Sequence, residues 1–142
     1  MAYSGDIQPS EAWALLKGDA KAQLVDVRTT AEWSFVGVPD LSTVGRAAIL
    51  VEWQVFPGMA RNAQFEKTLA ERLTAAGADE KTPIAFLCRS GARSRAAAIA
   101  MTAAGFQKCF NVAGGFEGDL GPDRHRGETN GWKAENLPWQ QT

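Results

Sequence analysis

The sequence predicts an α/β fold, a central parallel β-sheet of about five strands covered by helices on both faces. Two observations carry this reading. Short apolar runs at residues 23–27, 47–51, 84–87 and 108–112 alternate with stretches of helical periodicity, and such alternation argues for parallel strands joined by crossover helices. The helical stretches also open on residues that supply N-terminal partners and close on glycines. With 142 residues the chain has the length of one domain, enough to bury roughly two-thirds of its unfolded surface in a single core. The expected organisation is therefore one domain over 1–142, with a polar insertion at about 116–130.

Each element has a local reason. A short strand is expected around residues 3–7. Pro9 stands where a helix's first residue needs no N–H, Glu11 follows it, and Trp13, Leu15 and Leu16 run on to Gly18, so the first helix covers 9–18. Residues 23–27 form an apolar strand. Thr29 with Glu32 three residues on makes a capping box for a brief helix that ends near Gly37. Residues 47–51 form another strand. Asn62 would cap a longer helix that places Phe65, Leu69, Leu73 and Ala76 on one face and stops at Gly77. Pro83 bounds the next strand, an Ala-rich helix over 96–104 follows and closes at Gly105, and residues 108–112 form the last strand. From Gly114 to Asn130, Glu117, Asp119, Asp123, Arg124, His125, Arg126 and Glu128 crowd among glycines. This segment reads as a solvated loop, with a lid over the neighbouring cleft as the alternative.

In parallel sheets, ligands sit beyond the carboxyl ends of the strands. Arg28, Glu52, Trp53 and Cys88 all fall there. The heptapeptide Cys88-Arg89-Ser90-Gly91-Ala92-Arg93-Ser94 sets a thiol between a strand and a helix, where a glycine-bearing turn aims backbone N–H groups at one point on the positive end of the helix dipole. That point suits an anion. A cysteine with an ordinary pKa of about 8.5 falls to roughly 3.5–7.5 in such places, so Cys88 is expected to be a thiolate at neutral pH. A core cysteine would need neither that turn nor the arginines at 89 and 93. Cys109, on the last strand, reads instead as an inert half-buried residue.

The neighbours divide by role. Arg89, beside the thiol, should face the mouth of the loop, where it can meet an anionic ligand. Arg93 opens the helix and is expected to turn inward, where Asp26 would pair with it and brace the loop. Arg28 is open to either role. Trp33, Phe35, Trp53 and Phe56 lie near the same edge and would either wall the cleft or fill the core. His125 is the only histidine; placed in the insertion, it reads as a solvated residue rather than a general base. With two cysteines and one histidine the chain supports neither a disulfide framework nor a zinc site.

Cys-Arg-Ser-Gly-x-Arg-Ser after an apolar strand resembles the active-site loop of single-domain rhodanese-like sulfurtransferases. Leu24-Val25-Asp26-Val27-Arg28 followed by Glu32-Trp33, Asn111-Val112-Ala113-Gly114-Gly115, and Gly131-Trp132 with Leu137-Pro138-Trp139 resemble three further segments of that family. Two stretches depart from it. The usual Gly-His-Ile-Pro-Gly-Ala appears as Gly37-Val38-Pro39-Asp40-Leu41, and the polar insertion separates Gly115 from Trp132.

The resemblance implies a rhodanese-like fold and a catalytic Cys88 that takes a sulfane sulfur from thiosulfate or another persulfide donor. The sulfur would pass to cyanide, a thiol or a protein acceptor. Arg89, Ser90, Gly91, Ala92 and Arg93 would bind the substrate, Asp26, Arg28 and Ser94 would support the site, and no metal or organic cofactor is implied. Dual-specificity phosphatases and some arsenate reductases resemble the same architecture, but their loops hold five residues between Cys and Arg where this one holds four. A non-catalytic binding or regulatory module is the third reading.

Composition narrows the partners. The net charge is −1 and no Lys/Arg cluster alternates with aromatics, so neither nucleic acid nor a membrane surface is expected. The first residues carry no basic segment followed by an apolar stretch, and no apolar run approaches about 18 residues. The expected location is the cytoplasm.

Overall fold

The computed structural model describes residues 2–55 and 58–141. In chain order the elements are β1 (Gly5–Ile7), α1 (Pro9–Gly18), β2 (Gln23–Asp26), α2 (Thr30–Val36), β3 (Val38–Pro39), a 3-10 turn (Ser42–Val44) and β4 (Ile49–Leu50). Then come β5 (Gln54–Val55), β6 (Ala60–Arg61), α3 (Phe65–Ala75), β7 (Ile84–Leu87), α4 (Ala92–Ala103), β8 (Cys109–Val112) and β9 (Trp139–Gln140). A five-stranded sheet runs β1-β8-β7-β2-β4 with every pairing parallel. Two short antiparallel ribbons, β3 with β9 and β5 with β6, lie outside it. Their two-residue strands are too short to show any alternation.

Side-chain alternation along the strands splits the core into two layers. On one face, Val25, Ile84 and Phe86 meet Phe65, Leu69 and Leu73 of α3 and Ala97, Ala98 and Met101 of α4. On the other, Leu24, Ala85 and Leu87 meet Ala12 and Leu16 of α1 together with Phe116 and Trp132 from the C-terminal segment. Both faces are thus covered, as a parallel sheet requires. Each of the α3 anchors is fully buried, a burial of roughly 1.5–3 kcal/mol apiece.

The helix ends follow local chemistry, with three corrections to the sequence reading. The Thr29 box forms as expected: the Glu32 N–H donates to Thr29 Oγ1 at 3.3 Å and the Thr29 N–H to Glu32 Oε1 at 3.2 Å. Gln64, not Asn62, stands at the N-cap position of α3 and makes no side-chain capping bond; the Asn62 carboxamide accepts the Gln64 N–H at 3.0 Å, closing a turn that precedes the helix. Ala76 lies past the last turn and is exposed, and Ala78 takes the buried place. The Ala-rich helix begins at Ala92 rather than residue 96, because Gly91 at φ +118° reverses the chain directly into it. Among the described residues no helix is long and apolar enough to cross a membrane.

Candidate active site

Alternation along β7 directs Cys88, one residue beyond the strand, to the same face as Ile84 and Phe86. Its side chain is 1% exposed. The chain then turns through Arg89 and Ser90 to Gly91, and the Gly91 N–H donates to Cys88 Sγ at 3.1 Å. Ser94, in the first turn of α4, brings its Oγ to 3.2 Å from the same sulfur.

The loop is held from behind by the turn after β8. The Phe116 N–H donates to the Cys88 carbonyl at 2.7 Å, and the Glu117 and Gly118 N–H groups both donate to the Arg89 carbonyl at 3.0 Å. A trans peptide points its C=O and the next N–H in opposite directions. Fixing these two carbonyls toward the turn therefore directs the Arg89 and Ser90 N–H groups away from it. The approach is so close that a Cβ at Gly115 would stand 2.4 Å from the Cys88 carbonyl oxygen, at a backbone φ of +63°. Only glycine fits there.

The expected Asp26–Arg93 brace is absent. Asp26 pairs instead with Arg28, whose Nη2 lies 2.7 Å from Asp26 Oδ2 with both side chains fully buried. Residues two apart along an extended chain share a face, which makes Arg28 the nearest cation to Asp26. Arg28 also donates to the Gly37 carbonyl at 2.7 Å and lays its guanidinium 4.3 Å from the Phe116 ring centre. Its orientation is therefore inward. Breaking such a buried pair costs roughly 3–5 kcal/mol.

Arg93 faces the cleft and is held by Glu32 of α2 in a two-point contact, at 2.7 and 2.9 Å. Burial alone would raise the Glu32 carboxyl, but the hydrogen bonds and charge of Arg93, together with Thr29, override it and bring the pKa down from 4.5 to about 2. Arg93 is correspondingly held above its ordinary value despite burial, by the bonds and charge of Glu32. Sequence reading placed Glu32 in the capping box and in one segment of the family resemblance but gave it no role at the site, yet it both caps α2 and holds Arg93. Its position just past the carboxyl end of β2 was the signal that could have found it.

Glu32, Gln54, Met59, Cys88, Arg89, Ser90, Ala92 and Arg93 line a cleft of about 340 Å³. It gathers Cys88, Arg89, Ser90, Ala92 and Arg93 on one wall, with Gly91 contributing its N–H to the sulfur. Ser94 is buried behind the sulfur, and Asp26 and Arg28 lie below rather than on the wall. Gln54 and Met59, from the β5–β6 ribbon, had no motif to betray them. Among the described residues Arg89 is exposed and forms no ion pair, whereas Arg93 is already neutralised.

The aromatic residues named for the cleft do not wall it. Trp53 packs edge-on against Phe65 at 5.0 Å beneath the Arg61 guanidinium. Phe35 is 81% exposed, Trp33 is half-buried away from the lining, and Phe56 lies outside the described residues. The 114–130 segment contributes nothing to the lining either. It is also not wholly solvated: Phe116 is fully buried against the sheet, and the exposed part is confined to 119–130. His125 is exposed there, 3.2 Å from Asp123. Cys109 is fully rather than half buried, and burial raises its thiol pKa.

A protein-family model described as the STR4 middle domain matches residues 5–142. An uncharacterized protein of Rickettsia conorii is 37% identical over 135 residues, covering 95% of this chain and 96% of its own. The crystal structure of Rv0390 from M. tuberculosis superimposes with a TM-score of 0.89 at 46% identity, covering 99% of both chains. The solution structure of the polysulfide-sulfur transferase homodimer of Wolinella succinogenes shares the fold at 23% identity and a TM-score of 0.60, covering 96% of this chain and 78% of that one. A thylakoid rhodanese-like chloroplast protein of rice is 29% identical over 135 residues, which make up 25% of its length.

Proposed function

This chain belongs to the STR4 middle domain family and has a rhodanese-like fold, and from that premise we propose that it is a sulfurtransferase working through a Cys88 persulfide. One observation carries the reading: Cys88 Sγ, at the base of an open cleft, receives the Gly91 N–H at 3.1 Å from a loop that sets four residues between Cys88 and Arg93. A turn of that size favours a single sulfur over a tetrahedral phosphate.

The Cys88 thiolate attacks the outer sulfur of thiosulfate. The new S–S bond forms as the sulfur–sulfur bond of the donor breaks, and sulfite leaves with the electron pair. The product is a Cys88 persulfide whose negative terminal sulfur faces the loop N–H groups and the helix N-terminus. Cyanide, a small thiol or a protein thiol then attacks that terminal sulfur, and the electron pair of the broken bond returns to Cys88 Sγ. The exposed Arg89 guanidinium attracts the anionic donor and the departing sulfite. This is two-step covalent catalysis.

Intact-mass spectrometry after incubation with thiosulfate tests it. Wild-type protein and Cys109→Ala are expected to gain one sulfur atom, and Cys88→Ala none. An unchanged wild-type mass with thiosulfate and with organic persulfides alike, or hydrolysis of aryl phosphates at a comparable rate, would overturn the proposal.

A further inference from the structure

Behind Cys88 runs a chain of polar groups that the reaction above does not use. Ser94 Oγ has one proton and three possible acceptors: Asn111 Oδ1 at 2.6 Å, Cys88 Sγ at 3.2 Å and the Gly91 carbonyl at 3.3 Å. The Asn111 side chain, nearly fully buried, donates its Nδ2 to Asp6 Oδ1 at 3.2 Å. The parallel register of β1 and β8 sets Asp6 directly beside Asn111. Asp6 Oδ1 also accepts the Tyr3 hydroxyl at 2.8 Å.

These contacts fix the direction of every proton. A carboxylate only accepts, so Asp6 draws the NH₂ end of Asn111 toward itself and leaves the carbonyl end facing Ser94. The short contact to that carbonyl takes the one hydroxyl proton. Ser94 Oγ is then left with only a lone pair for Cys88, and a lone pair hydrogen-bonds a thiol S–H but not a thiolate. To serve a thiolate the hydroxyl must turn away from Asn111 and strand a buried carbonyl oxygen.

We infer that Asp6 and Asn111 are positioning residues that hold the Ser94 hydroxyl proton away from Cys88 and so withhold one hydrogen bond from its thiolate. The inference deepens the sulfurtransferase reading, since it concerns how its nucleophile is held between turnovers. Other charges face Cys88 from the remaining elements. Arg93 of α4 is paired with Glu32 of α2, Asp26 with Arg28 at the end of β2, and Arg89 stands in the loop itself. Among the described residues none of these forms an ion pair with Asp6, whose hydrogen-bonded path to the sulfur runs through Asn111 and Ser94.

The test is the pH profile of Cys88 alkylation by iodoacetamide, read on the Cys88 peptide by mass spectrometry with no sulfur donor present. Asp6 is exposed, so Asp6→Asn should fold. Its amide donates or accepts equally, so Asn111 is free to turn over, present its NH₂ to Ser94 and release the hydroxyl proton to the thiolate. The midpoint is expected to move to lower pH by about one unit. Asn111→Leu, similar in shape and without an acceptor, should move it the same way. In a Ser94→Ala background, Asp6→Asn should leave the midpoint where it is. An equal shift with and without Ser94 would mean that the field of the Asp6 charge acts alone, and no shift in either would mean that the amide is not held; both results overturn the inference. Because alkylation needs no sulfur transfer, a protein that fails to gain sulfur from thiosulfate still yields an alkylation midpoint, and one whose midpoint does not move can still gain sulfur.

Discussion

Replacing Glu32 by Gln keeps the shape of the side chain and its reach to Thr29 while deleting the charge that holds Arg93. The cost follows from the depressed carboxyl, whose pKa falls from 4.5 to about 2 on folding. A carboxyl held below its ordinary value contributes its full stability above the unfolded pKa, and the contribution drains away as the pH falls through the folded one. At roughly 1.36 kcal/mol per pH unit the interval corresponds to about 3 kcal/mol at neutral pH. The two side chains remain 17% and 19% exposed, and solvent screening brings the expectation toward about 2 kcal/mol. Urea unfolding of wild type and Glu32→Gln should therefore differ by about 2–3 kcal/mol at neutral pH, by about 1 kcal/mol near pH 3, and by almost nothing near pH 2. A difference that stays constant from neutral pH to about pH 2 would refute the reasoning, because it would locate the effect in packing and not in charge.

Arg89→Ala should lower kcat/KM for thiosulfate by about one to two orders of magnitude, the value of one charge-assisted hydrogen bond of roughly 1.5–3 kcal/mol. A neutral persulfide donor, assayed at high pH so that the cation's effect on thiol ionisation drops out, should lose far less; equal losses would mean that Arg89 does not read donor charge. Gly115→Ala should destabilise the fold by about 2–4 kcal/mol, combining a left-handed backbone with a Cβ pressed on the Cys88 carbonyl. Thermal unfolding within about 0.5 kcal/mol of wild type would show that the turn yields easily. Cys109→Ala should leave sulfur transfer unchanged while costing stability through the lost burial, and a loss of transfer without loss of fold would implicate the second thiol.

The sequence carried the fold through its punctuation. Pro9, the Thr29–Glu32 box, and Gly105 each marked an element end that the structure keeps, and the apolar runs became the strands of a five-stranded sheet. The thiol loop was legible for the same reason, because a Gly-bearing turn between strand and helix is a local pattern. Pairing was not. Asp26 and Arg93 looked like partners at one sheet edge, but Arg28 lies closer along the strand, a local fact the reading passed over, and Glu32 lies closer across the cleft, which depends on where α2 packs. Gln54 and Met59 reach the cleft from a two-residue ribbon with no period of its own. Phe116 hid inside a run of charges and glycines, and part of its cover comes from Arg28, a residue far away in sequence.

The turn that backs Cys88 bears on how the protein is made. The loop itself spans adjacent residues, yet the N–H groups that seize its carbonyls belong to Phe116, Glu117 and Gly118. Those groups lie beyond α4 and beyond β8, the strand that sits between β7 and β1. On a ribosome, which releases the chain from its N-terminus, Cys88 therefore emerges well before its oxygen-side restraints and spends that interval as an ordinary, unshaped thiol. Closing contacts across such separations comes late because the entropy of the intervening chain must be surrendered first. A nascent or C-terminally truncated chain thus carries the cysteine without the geometry, and its thiol is left open to whatever oxidant it meets.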